Sequence, residues 1–263
     1  MNEPGTPEMH LPASAEPRDV LQVVTRILES LSDDDGYRKA VTRFVPGAGK
    51  VYGVRVPQLR DLADQILKAY RTQSPVVAAI ADDCWQVGSR EHCVLAILIL
   101  AGSKTLQPAQ RWEHGLRFLP DVSDWETCDH LCMGLLGQAL AEDARYMDAL
   151  EQWPHDNNLW VRRAALASTV LLRRAKFEPA TLQSLNQRTL GICQCLLEDK
   201  EHYVRKAVDW AVREVIWRDY AIGAQWLLER AGGPLTSVAR STLKKSAKKL
   251  SPADQERFHR ALE

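Results

Sequence analysis

Three helix starts gather the residue types that could do chemistry. In Trp125-Glu126-Thr127-Cys128-Asp129, the indole and the last carboxylate are four apart and share a helix face. In Trp160-Val161-Arg162-Arg163, Trp160 and Arg163 share a face. In the third, Tyr203, Lys206, Trp210, Arg213 and Trp217 follow 3-4-3-4 spacing along one stripe, beside an apolar stripe of Val204, Val208, Ala211, Val212 and Val215. A stripe that is aromatic and basic can stack on sugars or bases while holding phosphates. Asp129 is out of place in a pure phosphate binder, where Lys, Arg or Gly would serve better.

A blander reading competes at each position. Large Trp residues more often plug the irregular core of a helical protein than form a site, and Trp112, Trp153, Trp160, Trp217 and Trp226 are expected to be packing. Arg163 could pair with a neighbouring carboxylate, and Asp129 could hydrogen-bond within the helices. His92, His114, His130, His155 and His202 form no HxxxH or HxE pattern and take no role. The run Asp33-Asp34-Asp35 has no further ligands at usable spacing and reads as a solvated loop. No metal and no cofactor are expected.

The elements that must position these residues repeat. Asp156-Asn157-Asn158-Leu159-Trp160-Val161-Arg162-Arg163-Ala164 recurs 43 positions later as Asp199-Lys200-Glu201-His202-Tyr203-Val204-Arg205-Lys206-Ala207. That period lies in the range of two-helix HEAT-type units. Each copy displays an aromatic and a basic residue on one turn, which suits a sugar-phosphate backbone better than a small-molecule pocket. Amphipathic helices are expected to begin near Pro57, Ser89, Ser123, Asn158, His202 and Thr236. A second, shorter helix is expected between each pair, such as 144–153 and 182–197. Ser123 followed by Glu126 reads as a capping box. The expected fold is all-α: an α-α superhelix of HEAT-like helical repeats, five or six helix pairs in a single domain over residues 18–263. Residues 1–17, Pro-rich and without a basic start, read as a disordered leader rather than a signal peptide.

Composition sets outer limits. The chain has 263 residues, 45% of them hydrophobic, and no apolar run approaching the 18 or more that span a bilayer. Formal net charge is zero, with 34 basic and 34 acidic side chains. Residues 1–36 hold 2 of the basic and 8 of the acidic ones, which leaves 32 against 26 for the rest, a net of +6. Between 200 and 250 the count is 11 against 5. A basic C-terminal half is compatible with a DNA-facing surface without requiring one. The six Cys form no CxxC pattern and read as buried, reduced thiols of a cytoplasmic protein.

Four stretches, in order, resemble the AlkD-like DNA glycosylases, a HEAT-like alkylation-repair family. They are Val51-Tyr52-Gly53-Val54-Arg55-Val56-Pro57-Gln58-Leu59-Arg60, Trp125 to Asp129, Asn157 to Ala165, and Lys206-Ala207-Val208-Asp209-Trp210-Ala211-Val212-Arg213-Glu214. The similarity covers roughly residues 20–250. It implies that Asp129 is the essential carboxylate, Trp125 the aromatic beside it, Trp210 a second aromatic wall and Arg163 a backbone-binding arginine. Tyr203, Lys206 and Arg213 join Arg163 as candidate DNA contacts. Two departures stand out. Glu126 replaces an Asp common in the family, at a position expected to point outward and tolerate change, and Phe44 replaces a frequent Tyr. The implied activity is excision of positively charged N-alkylated purines, of the 3-methyladenine and 7-methylguanine type, from double-stranded DNA in base excision repair. The cationic base leaves as a neutral molecule, so only oxocarbenium character at the sugar needs stabilising. Such an enzyme would work as a monomer, in the cytoplasm and on the nucleoid when bound to DNA. The competing reading is a HEAT-repeat scaffold or DNA binder without catalysis.

Overall fold

Every regular element among the described residues is a helix, as the absence of period-two patterning requires. The computed structural model describes residues 7–11, 16–32 and 35–263. Asp33 and Asp34, and residues 1–6 and 12–15 of the leader, lie outside that set. The chain divides into two compact units, 1–135 and 136–263.

The first unit holds α1 (Pro17–Ser30), α2 (Asp35–Phe44), α3 (Val56–Ala69), α4 (Ser74–Val87), α5 (Arg90–Gly102), α6 (Pro108–Phe118) and α7 (Trp125–Leu131). Proline in the first turn opens α1, α3, α4 and α6, where the missing N–H costs nothing. At the centre lies α5, buried on nearly every side through Val94, Leu95, Ala96, Ile97, Ile99 and Leu100. Packed on it are α3, α4 and α7, and α1 packs on α4 while its Thr25 hydroxyl reaches His92 of α5 at 3.0 Å. The Ser89 side chain caps α5 by accepting the His92 N–H. The cap of α7 is Asp124, which accepts the Thr127 N–H at 2.8 Å, one residue on from the expected Ser123. The Ser123 hydroxyl instead donates to the Gly47 carbonyl, and Glu126 is drawn away to Arg90, so no Ser123–Glu126 box forms. One turn of π-helix, Cys132–Leu136, follows α7. Of the leader, Met9 is buried, and its N–H donates to Gln65 of α3.

The second unit holds α8 (Gly137–Glu142), α9 (Met147–Leu150), α10 (Leu159–Ala167), α11 (Pro179–Leu196), α12 (His202–Arg218), α13 (Tyr220–Ala231), α14 (Ser237–Ser246) and α15 (Pro252–Ala261). Here α12 is the hub, touching α10, α11, α13 and α14. The apolar stripe of Val204, Val208, Ala211, Val212 and Val215 is buried as the periodicity implies, along with Ala207 and Ile216. Gly223 lets α13 approach closely, since a Cβ there would sit 2.7 Å from Ile216 Cγ1. The intervening helices are not uniformly short. Pro179 starts α11 early, and it runs 18 residues, longer than α12.

The 43-residue repeat is one local device built twice. Arg162 Nη1 donates to the carbonyls of Asp156 (2.9 Å) and Asn157 (3.0 Å), and Arg205 Nη1 donates to those of Asp199 (2.7 Å) and Lys200 (2.6 Å). Asp156 Oδ1 accepts the N–H two residues on, from Asn158, and Asp199 Oδ1 does the same from Glu201. Each arginine thus clamps the turn that leads into its own helix. Asp199 also receives Arg162 Nε at 2.7 Å, tying one copy to the next. Of the six thiols, Cys84, Cys128, Cys132 and Cys193 are buried, Cys93 is half-buried and Cys195 is exposed; none forms a disulfide.

Candidate functional site

The predicted residues fall in both units: Trp125 and Asp129 in the first, Arg163, Tyr203, Lys206, Trp210 and Arg213 in the second. In the first unit, Trp125 and Asp129 both lie half-buried on α7, while Thr127, Cys128 and Leu131 face the core. The indole packs on Val41, Val45 and Ala48 with Tyr37 beside it, and its Nε1 donates to the Phe44 carbonyl at 2.8 Å. That bond uses the backbone of Phe44, not its ring, which is 67% exposed. Gly47 has φ +94°, and a Cβ on it would meet the Ser123 carbonyl oxygen at 2.3 Å. Only glycine allows the loop after α2 to lie so close to the start of α7.

An ion-pair network under α7 fixes its orientation. Arg90, 1% exposed, grips Glu126 with Nε and Nη2, both at 2.7 Å. Its Nη1 reaches the Val54 carbonyl at 2.9 Å and Glu91 Oε1 at 3.1 Å. Glu91, wholly buried, accepts the N–H groups of Tyr52, Gly53 and Val54 at 2.9, 3.0 and 3.2 Å. Burial alone would push the Arg90 guanidinium down, but the Glu126 carboxylate more than reverses this and holds it raised. Glu126 is therefore not the outward, tolerant position the sequence suggested: a buried guanidinium 36 residues away needs its charge. Arg90, Glu91 and Glu126 escape sequence reading because no short spacing joins them. His130, next to Asp129, has its pKa lowered chiefly by burial, so a neutral imidazole sits beside the carboxylate position.

In the second unit the aromatic-basic stripe of α12 faces outward as its spacing implies. Tyr203, Trp210 and Arg213 are half-buried, and Lys206 and Trp217 are exposed. Tyr203 rests on Trp160 with ring centroids 5.3 Å apart, and Trp160 is itself buried, as expected of packing. Trp112 is buried too, and Trp153 and Trp226 are half-buried. Trp217 is not packing: it is 72% exposed, because its position on α12 falls outside the Val stripe. Arg163 is only 4% exposed, and its guanidinium donates to the Tyr203 carbonyl, which joins α10 to the first turn of α12. Arg213 pairs with Asp209 at 3.2 Å across one turn.

Two hollows open along α12. One, of about 230 Å³, is lined by His202, Arg205, Lys206, Asp209, Ser237, Ser241 and Lys245. The His202 imidazole is held below its usual range by burial and by the cations Lys206, Arg205 and Lys245. The other, of about 590 Å³, is lined by Trp210, Arg213, Trp217, Tyr220, Arg173 and Lys249. Thus Trp210, Arg213 and Trp217 share one groove, whereas Lys206 faces the other hollow.

A family model described as DNA alkylation repair enzyme matches residues 24–250. The chain belongs to that family. The match spans Trp125, Asp129, Arg163 and the whole of α12, so both residue groups lie within the part that defines this repair enzyme. A comparison with curated proteins finds no match. Among the described residues of the repair enzyme, no cluster of side chains could hold a metal ion, and no helix is long and apolar enough to cross a membrane.

Proposed function

We propose that this repair enzyme is a monofunctional DNA glycosylase that hydrolyses the N-glycosidic bond of cationic N-alkylated purines, such as 3-methyladenine and 7-methylguanine. Asp129 is the catalytic carboxylate and Trp125 the aromatic wall beside it, while Trp210, on α12, enters from the resemblance as a second aromatic residue. The observation that carries this reading is the pair on α7: an indole pinned by the Phe44 carbonyl, with a half-buried carboxylate one turn on. A charged purine needs no general acid to leave. What remains is positive charge growing on the deoxyribose, which a carboxylate at ~4 Å in an effective dielectric of about 20 attracts by roughly 4 kcal/mol, on the order of a thousandfold in rate. Indole faces add about 0.5–2 kcal/mol each for a cationic sugar. Asp129 also orients the attacking water.

Double-stranded DNA is the substrate, held by phosphate contacts from Lys206 and the basic hollow around it, with Arg213 and Tyr203 extending the surface and Arg163, buried on the Tyr203 carbonyl, holding that turn in place from behind. The enzyme acts as a monomer in the cytoplasm and needs no cofactor. The test measures release of 3-methyladenine and 7-methylguanine from alkylated DNA by wild type and Asp129→Asn. Release by wild type and loss in the variant support the assignment. Equal release by both removes Asp129 from its role, and no release by either leaves a helical DNA binder without catalysis. Uracil and hypoxanthine, which are neutral bases, stay in place.

A further inference from the structure

The larger groove on α12 has more than the proposed excision chemistry requires. Trp217 lies seven residues beyond Trp210, two turns and about 10 Å along the helix on nearly the same face, and it leaves most of its indole in water. An indole so placed adds little to the core and leaves an aromatic face open to the groove. Tyr220, 41% exposed, flanks it at the start of α13. The Tyr220 ring is fixed from behind: its hydroxyl donates to Asp254 Oδ2 at 2.8 Å and accepts the Ser251 N–H at 2.8 Å. Arg173, Arg213 and Lys249 all line the same groove, but Arg173 faces Glu214 at 3.6 Å and Arg213 pairs with Asp209 at 3.2 Å, so the uncompensated charge is that of Lys249. Lys249 has no ion-pair partner among the described residues and is exposed.

We infer that this groove holds one unpaired nucleotide, its base stacked on Trp217 against the fixed Tyr220 ring and its phosphate on Lys249. The uncompensated Lys249 favours an anionic group over a neutral or cationic one. The exposed ring faces favour a planar base over a carboxylate side chain, which gains little from an indole. A paired duplex buries its base faces in the stack and offers such a ring only backbone. A nucleotide displaced from the stack offers both a π-face and a phosphate. The groove volume of about 590 Å³ lies within the range of small-ligand sites. The inference rests on the DNA-binding part of the proposed function and is independent of base excision.

The test uses undamaged, fluorescein-labelled 21-mer duplexes with the full-length protein: one fully paired, the other identical except for a single extra adenosine in one strand. Anisotropy titrations should show wild type binding the bulged duplex about tenfold more tightly. Trp217→Ala, at a solvent-exposed position and with its helicity checked by circular dichroism, should bind both duplexes alike, with its affinity for the paired one unchanged. Lys249→Ala should weaken binding to the bulged duplex more than to the paired one and lower the salt slope for the bulged duplex by about one. Equal binding of the two duplexes by wild type overturns the inference, as does a preference that survives Trp217→Ala. Displacement of the bulged duplex by an acidic peptide but not by a single-stranded oligonucleotide also overturns it, in favour of a protein partner. Asp129→Asn, which should abolish excision, keeps the bulge preference, so failure of the catalytic assignment and failure of this one are read separately.

Discussion

The Trp125 turn and the Trp210 turn present similar side chains on different foundations. Under Trp125 lies a charged lattice: Arg90 and Glu91, both buried, and the half-buried Glu126 are bonded to each other and to the Tyr52–Val54 backbone. Trp210 sits on α12, whose buried side is a valine stripe and whose ion pairs Arg213–Asp209 and Arg173–Glu214 lie at the half-exposed surface, and its neighbours Lys206 and Trp217 reach into solvent. Catalysis of the kind proposed needs a carboxylate fixed before the charge develops, because reorganising at that moment forfeits the electrostatic gain. Binding DNA of varied sequence needs cations and rings that adjust. On the proposed reading, the first unit suits the former and the second the latter.

The largest way to break this contrast is to remove the lattice. Glu126→Ala leaves the Arg90 charge buried without its main partner and should cost about 3–5 kcal/mol of stability, measured by denaturant unfolding. Glu126→Asp shortens the reach and should recover part of that. A comparable effect belongs to pH. His92, wholly buried between Ser89 (2.7 Å) and Thr25 (3.0 Å), has its pKa pushed down to about 4, mainly by burial and then by Lys50. The unfolded chain binds this proton near pH 6.5, but the folded chain does so only near pH 4. Stability is therefore complete above about pH 6.5, falls as pH drops through that window, and is lower by about 3 kcal/mol at its foot. Unfolding midpoints taken from pH 7 to 4 should show the slope, and His92→Asn, neutral throughout, should flatten it.

Arg163→Ala sharpens the comparison within the second unit. Its guanidinium is buried on the Tyr203 carbonyl, so the variant should lose roughly 1–3 kcal/mol of stability together with DNA affinity. Lys206→Ala, at an exposed position, should leave the unfolding midpoint unchanged, weaken DNA binding without sequence preference and reduce the salt slope by about one. If Arg163→Ala instead kept full stability and lost only affinity, the two residues would be equivalent and the contrast would shrink. The smallest effect concerns His202. Burial and then the cations around it hold its pKa down, so a phosphate seated in that hollow should raise it by offsetting the cations, visible as a shift in its NMR titration on adding DNA.

The helix starts at Ser89, Asn158, His202 and Thr236 were legible to within a residue because caps and periodicity are local signals. So was the buried valine stripe of α12. The 43-residue repeat was legible as a pattern, but its basic residues divide three ways. Arg162 and Arg205 clamp their own turns, Arg163 is buried, and Lys206 is exposed. Repetition therefore reported a folding device as well as a surface, and sequence alone could not separate them. The Glu126–Arg90 contact was invisible because it joins residues 36 apart with no shared motif, and Trp217 was misassigned because a lone Trp usually packs. The pair Trp125 and Asp129 could be placed on α7 from spacing, while the Phe44 carbonyl that pins the indole belongs to the end of α2, 81 residues earlier, and to the loop that follows it.

Gly47 gives that loop a mechanical meaning. With no room for even a methyl group against the Ser123 carbonyl, the segment after α2 acts as a doorstop for the start of α7. Gly47→Ala would wedge the two apart, and Phe44, three residues upstream, would carry its carbonyl away from the indole. One added carbon far from any reacting atom would then let the aromatic wall swing.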